Sequence, residues 1–423
     1  MNTQAEHQQP SVQALQRSRL VTRSMAMLFF ATFGALTSFY VMLAVVPQFV
    51  VAIGGSRSAA GLVTSFMMGA TVIGELATPL LSRLCGTRSM FGIGLLLLGA
   101  PAVVLAVWPN SAVVIGVSIA RGVGFGVVAV LGSASVARAA TGARRGEAVA
   151  LYGVITGIPA VVALPAGVWI AEHLGFRPVF IAGSVSALVG LAVVGGLPEQ
   201  PTSAARPTAP KVAASRSSST PTTMATTATM AMPVMVFLAN AVGAGVVVTF
   251  LPVAIDNQHG GLVPAGLFVH SITATATRFW AGRRGDRHGH ARLMLPAAAI
   301  SGIGVLALVA APSAVAVMIS MVLFGAGFGV IENASLAVMY ERAPVDRYNK
   351  VSAMWNATYD AGLGLGAAGF GVVAAHSGFR VAFGATAVVV VAACLPARRD
   401  RQSVVAVARD ASVVSLSPQP RAA

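Results

Sequence analysis

Five ionisable side chains interrupt otherwise apolar stretches of the sequence: Glu75, Arg121, His270, Glu332 and Asp360. In a run long enough to cross a bilayer, a charge costs about 2.5–3.5 kcal/mol on insertion scales, so each such residue is a candidate for function. Asp360 lies in SAMWNATYDAGLGLGAAGFG, where Ser352, Asn356, Asp360 and Gly364 recur every fourth residue and share one helix face. At 1.5 Å per residue it stands roughly 15 Å from the start of its run, near the midplane. Exclusion of water disfavours the charged form of a carboxylate, which suits a proton carrier. A static hydrogen bond between helices is the alternative.

Glu332 and Asn333 fall in GAGFGVIENASLAVMY. Glu332 is placed either to pair with Arg121 in one conformation or to pack between helices. Arg121 cannot shed its proton, so it needs an acidic or carbonyl partner, and Glu75, Glu332 or Asp360 qualifies. A charge pair that changes partner would hold a carboxylate ionised when paired and favour its protonation when released. That couples proton binding to movement. Glu75 also has a plainer role, pairing locally near the membrane surface. His270, alone on a mixed face, is first a packing residue. Tyr40, Gln48, Asn240, Asn333, Trp355 and Asn356 are candidate pocket residues, although Tyr and Trp concentrate at membrane interfaces.

The elements that must position these groups follow from composition. Hydrophobic residues make up 56% of the 423, charged residues 10%, and the mean hydropathy is +0.79. A soluble domain has about 45–50% apolar and about 25% charged residues. Twelve apolar runs approach the length of about 20 residues that crosses a bilayer. They cover roughly 25–53, 58–81, 89–108, 111–137, 147–171, 177–197, 229–255, 261–281, 293–311, 313–339, 351–375 and 379–396. Trp108-Pro109-Asn110 and Ala311-Pro312-Ser313 mark turns. The expected fold is an all-α integral membrane protein of twelve helices in two pseudo-symmetric six-helix bundles, 25–197 and 229–396. A flexible Pro/Ser/Thr/Ala-rich cytoplasmic linker, 198–228, joins them, between tails 1–24 and 397–423.

The net charge of +15 comes mostly from arginines in short connections, with no aromatic-interleaved stripe, so no nucleic-acid partner is expected. Arg17, Arg19, Arg23, Arg83, Arg88, Arg138, Arg144, Arg145, the 278–292 cluster, Arg342, Arg347 and Lys350 fall on one side. Only Arg57, Arg177 and Arg380 fall on the other. The positive-inside rule then places both termini in the cytoplasm of a cell-membrane protein. The first run is too long for a cleaved signal. Cys85 and Cys394 form no spacing motif, and no metal site is expected. Neither a phosphate-binding loop with Lys-Ser/Thr nor a Ser/His/Asp arrangement occurs outside the apolar runs. This excludes an ATP motor within the chain and gives no sign of an enzyme. An ion gradient remains as the energy source, without a cofactor.

The segment RFWAGRRGDRHGHAR, 278–292, gathers charge just after the eighth run. Gly282, Asp286, Arg287 and Gly289, with Arg278 one turn earlier, resemble the loop signature of the major facilitator superfamily. Gly282 would admit a neighbouring helix, and Asp286 would sit at a positive helix N-terminus while pairing with arginines. The counterpart PLLSRLCGTRS supplies Arg83, Gly86 and Arg88, but Ser82 replaces the family's Asp and Thr78 its first Gly. ARGVGFGVV, with Arg121, Gly124 and Gly126, is similar to the family's fourth-helix arginine motif. GIPAVVALPAGVW, with Gly157, Pro165 and Gly167, resembles the fifth helix of its exporters, although Leu164 stands where glycine is usual.

The resemblance covers nearly the whole chain. It implies a cytoplasmic latch at 278–292, a cavity lined by helices 1, 4, 7 and 10, and a monomer. The resulting expectation is proton-coupled efflux of small amphipathic or drug-like molecules by alternating access. Proton-coupled uptake of a sugar or organic acid, and a non-transporting receptor or scaffold, are the alternatives.

Overall fold

Peptide groups in a bilayer find no water, so apolar runs must close their hydrogen bonds internally, as helices do. The computed structural model describes residues 22–139, 145–197, 222–255, 261–311, 313–344 and 347–398, which are helical, with no strand among them. The N-terminal bundle begins with α1, Arg23–Leu43 continued by Val45–Ala52. Then come α2 (Arg57–Cys85), α3 (Thr87–Val107), α4 (Ser111–Ala139) and α5 (Arg145–Leu174). Its last helix is α6, Phe176–Val189 with Leu191–Val194. The C-terminal bundle holds α7 (Thr222–Ala254), α8 (Leu262–His288), α9 (Ala291–Ala307) and α10 (Ala314–Glu341). The stretch Tyr348–Ala392 breaks at Gly378 into α11 (348–377) and α12 (379–392).

Ten described stretches are long and apolar enough to cross a membrane, and the last of them contains both α11 and α12. The twelfth helix, α8, falls outside that set because its end is charged. Here the structure corrects the expected boundary at 281: α8 runs on to His288, so Arg283, Arg284 and Arg287 stand on a helix rather than in a loop. Arginine is a good helix former, and the helix stops only at Gly289, whose φ of 87° favours glycine. The tails 1–21 and 399–423, linker residues 198–221, Arg144 and Pro312 lie outside the described residues, and helix resumes at Thr222.

The face where α1 begins is called the near face, and the opposite one the far face. Lipid supplies no hydrophobic force between helices, so close backbone approach at small residues must hold them. Between bundles this happens along α2 and α11. A Cβ on Gly61 would strike the Ala367 carbonyl, and one on Gly364 would lie 3.2 Å from Met68 Cβ. Ser65 Oγ donates to the Gly364 carbonyl at 2.7 Å and Ser58 Oγ to that of Gly371 at 3.2 Å. Thr249 of α7 donates to Thr64 at 3.2 Å.

These contacts occupy the far-face half. Continuing the same two helix faces toward the near face gives Leu76 and Pro79 on α2, and Asn356 and Ala353 on α11. All four are exposed. The halves are therefore zipped at the far face and splayed at the near face.

Within the N-terminal bundle, Gly167 of α5 lies on the backbone of Val41, whereas a Cβ on Gly157 would meet nothing within 4 Å. Gly167→Ala should lower the melting temperature of the purified protein by several degrees, from about 1–3 kcal/mol of overpacking. Gly157→Ala should leave it unchanged or slightly raised. Differential scanning fluorimetry of both variants checks this.

Candidate functional site

Where the bundles part, the buried charges converge. Asp360 of α11 is 4% exposed and has no hydrogen-bond partner among the described residues. It lies one turn beyond the Ser65–Gly364 contact, close enough to Glu75 of α2 for the two charges to interact. Glu75 fits because α4 carries glycine there: a Cβ on Gly126 would come within 3.3 Å of Glu75 Cγ. Gly124, two residues earlier and on the other side of α4, lies against the α3 backbone at Leu98. Glu75 thus packs against α4 of its own bundle, within electrostatic reach of Asp360.

Glu332 of α10 pairs with Arg278 of α8 at 3.0 Å, with side chains 17% and 46% exposed. The expected partner, Arg121, is engaged elsewhere. Arg278 was expected at a helix end, but α8 continues to His288, so Arg278 lies within the helix, beside Glu332. Tyr40 of α1, in the opposite bundle, lies within electrostatic reach of Glu332, Arg278 and Asp360. Tyr359 of α11 reaches the same three charges and Tyr40 as well. The site therefore holds three carboxylates, one guanidinium and two phenols drawn from both bundles.

Arg121 is enclosed in the N-terminal bundle, 1% exposed. Nη1 donates to the Leu98 carbonyl at 2.6 Å and Nη2 to the Ser38 carbonyl at 2.9 Å, with Ser38 Oγ 3.4 Å from Nη1. Of the two kinds of partner it required, carbonyls fill the role. One side chain thereby ties α1, α3 and α4 together.

The other candidates divide. Asn356 is exposed, and Trp355 is half-buried, stacked on Phe237 at 4.7 Å and donating to Ser335 Oγ at 3.0 Å. Asn240, expected at a pocket wall, is instead wholly enclosed and donates to its own helix at the Val236 carbonyl. Asn333 lies beside Gly282, its Nδ2 3.6 Å from where a Cβ would be. Its Oδ1 and Gln48 Nε2 are buried without a partner among the described residues. His270 is buried and stacks on Phe324 at 5.2 Å, a packing role. Of the stripe mates of Asp360, Ser352 hydrogen-bonds Tyr340, and Gly364 belongs to the zipper.

The 278–292 segment folds onto its own bundle. Gly282 admits α10 through Asn333, and the absent side chain of Gly285 makes room for the His290 ring. His290 Nδ1 bonds Glu341 Oε1 at 2.7 Å. Asp286 was expected at a helix N-terminus among arginines, but the lengthened α8 leaves it in that helix's last turns, with His290 as its ionic neighbour at 3.6 Å. Arg287 closes the helix before Gly289. In the counterpart, Gly86 (φ 81°) separates α2 from α3, Arg83 ends α2, and Arg88 extends toward Gly195 after α6. Thr78 and Ser82 turn back onto their own helix carbonyls. In α5, Pro165 and Gly167 lie inside the helix, with Leu164 buried.

Sequence reasoning passed over Tyr359 and the backbone carbonyls that hold Arg121. Tyr359 precedes Asp360 directly, and that adjacency was the available signal. A carbonyl ligand leaves no mark in side-chain types.

A family model described as Major Facilitator Superfamily matches residues 28–279 and 235–418. A search of curated proteins found no match. Among solved structures, a variant of the nucleoside transporter NupG is similar over 89% of this chain and 99% of its own, with TM-score 0.71 and 13% identity. The inward-open conformation of the xylose transporter XylE from E. coli is similar over 88% and 95%, with TM-score 0.68 and 17% identity. A POT family transporter in complex with 5-aminolevulinic acid is similar over 88% and 95%, with TM-score 0.69 and 13% identity. At these identities the likeness concerns the fold.

Arg121→Lys keeps the charge but replaces two nitrogens, each serving a carbonyl on a separate helix, with a single shorter-reaching ammonium. It should lose about 1.5–3 kcal/mol and lower the melting temperature by several degrees, with or without a pH gradient. Thermal melts of the reconstituted variant check this.

Proposed function

Since the chain belongs to the Major Facilitator Superfamily and is a membrane transporter, we propose that it is a proton-driven exporter of small amphipathic molecules. The observation that carries this reading is Asp360, buried, without a hydrogen-bond partner among the described residues, and facing Glu75 where the bundles part. Two ionised carboxylates there repel each other, and one proton relieves the repulsion. A proton taken up at this point changes the balance between a splayed and a closed near face.

The near face is cytoplasmic in this reading. Arg83, Arg88, Arg283, Arg284, Arg287, Arg292 and Arg342 lie toward it, and Arg57, Arg177 and Arg380 toward the far one. The conformation is then open to the cytoplasm of a cell-membrane protein. The 278–292 segment, held to α10 in this state, is the part that meets the N-terminal bundle when the near face closes. The substrate is uncharged or cationic. Arg278 is neutralised by Glu332 and Arg121 is enclosed, so the site offers an anion little attraction. This disfavours uptake of an organic acid. The fifth-helix resemblance at Pro165 and Gly167 supports export.

The test uses inside-out vesicles with a quenched pH dye, energised and then given lipophilic cations, antibiotics, sugars and amino acids. Prompt dequenching by an amphipathic compound is expected, reduced at least about tenfold in Asp360→Asn, the loss of an essential proton group. Dequenching that survives Asp360→Asn but not Glu75→Gln or Glu332→Gln moves the proton to those residues. Uptake of a sugar with the proton reverses the direction. Full function after loss of all three carboxylates favours a receptor or scaffold.

A further inference from the structure

The far face is closed by more than small residues. Arg57 occupies the first position of α2, the positive end of that helix, where a cation gains nothing from its own dipole. Its guanidinium instead crosses to the other bundle. Nη1 donates to the Ala374 carbonyl at 3.3 Å, and Cζ lies 4.4 Å from the centre of the Phe379 ring. Ala374 stands in the last turn of α11, a negative helix end, and Phe379 is the first residue past the Gly378 break. One cation thus grips the end of α11 and the start of α12.

On the other flank, Glu172 near the end of α5 crosses in the same direction. Its carboxylate lies within electrostatic reach of the backbone N–H of Gly261. Gly261 is the N-cap of α8 and makes no side-chain cap of its own, so the nearest charge to the positive end of α8 comes from the opposite bundle. The second carboxylate oxygen, Oε2, is buried without a partner among the described residues.

We propose that Arg57 and Glu172 are paired clasps of the far face, each a charge of the N-terminal bundle gripping a helix end of opposite polarity in the C-terminal bundle. Opening the far face must release both helix ends together. The two residues therefore set how often that face opens. They touch neither substrate nor the Asp360 site and act as positioning residues. The inference rests on the reading that the two faces open in turn.

Thr249, enclosed between the bundles in this conformation, serves as reporter. Thr249→Cys is placed in protein carrying Cys85→Ser and Cys394→Ser, reconstituted in nanodiscs, and labelled with a hydrophilic maleimide without substrate. Arg57→Ala and Glu172→Ala should each raise the labelling rate about three- to tenfold, as expected for losing a charge–helix-end contact, and the double variant should exceed either. Arg57→Lys, which keeps a cation, should stay within about twofold of the parent. Arg177→Ala, an exposed far-face arginine, is the control and should not change the rate.

Equal rates in all variants, or the same rise in the control, would overturn the clasps. Should an alanine variant fail to assemble, Arg57→Gln and Glu172→Gln are read by the same criterion. Labelling as expected in a protein that moves no substrate overturns the transport reading alone. Transport with unchanged labelling overturns the clasps alone.

Discussion

Two helices in lipid attract each other only as far as their backbones can approach, because the surrounding chains are as apolar as the helix surfaces. α2 and α11 meet this condition at Gly61, Ser65, Gly364 and Gly371, toward the far face. Toward the near face the same helix faces carry Leu76, Pro79 and Asn356, which give neither small size nor a complementary partner. The zipper therefore ends partway along. Its end sets the vertex of the opening, and the vertex decides which side chains face each other across the halves.

Asp360 stands at that vertex, and its isolation follows from how the other charges are used. Arg121 is satisfied by helix carbonyls inside one bundle. Arg278 is matched by Glu332 inside the other. What remains between the bundles is a carboxylate opposite a carboxylate, an arrangement that a bound proton relaxes and an empty site strains. A buried ion pair in this place would have held the halves in one state. In the proposed function, two like charges make the contact depend on proton occupancy.

The two halves repeat in architecture but not in detail. The second-half segment after α8 is built around a histidine, His290, seated over Gly285 and bonded to Glu341. Its first-half counterpart has Thr78 and Ser82 turned onto their own helix. Six helices per half need only matching lengths and small-residue contacts. The connections between them carry individual chemistry, so divergence concentrates there.

Much of the fold was legible in the sequence. The apolar runs, broken by glycine and proline, marked the helices, since a bilayer permits little else. The runs also showed which ionisable residues lie within the membrane, because a charge in such a run is costly wherever it falls. The sequence did not reveal partners. That Arg121 rests on the carbonyls of Ser38 and Leu98 depends on atoms every residue possesses. That Arg278 meets Glu332 depends on how α8 and α10 pack against each other. Glu172 comes near Gly261 only because two bundles meet at the far face. Composition and periodicity are local and decide what each helix is. Pairing across a bundle interface depends on which backbones can come close, and only the packed structure decides that.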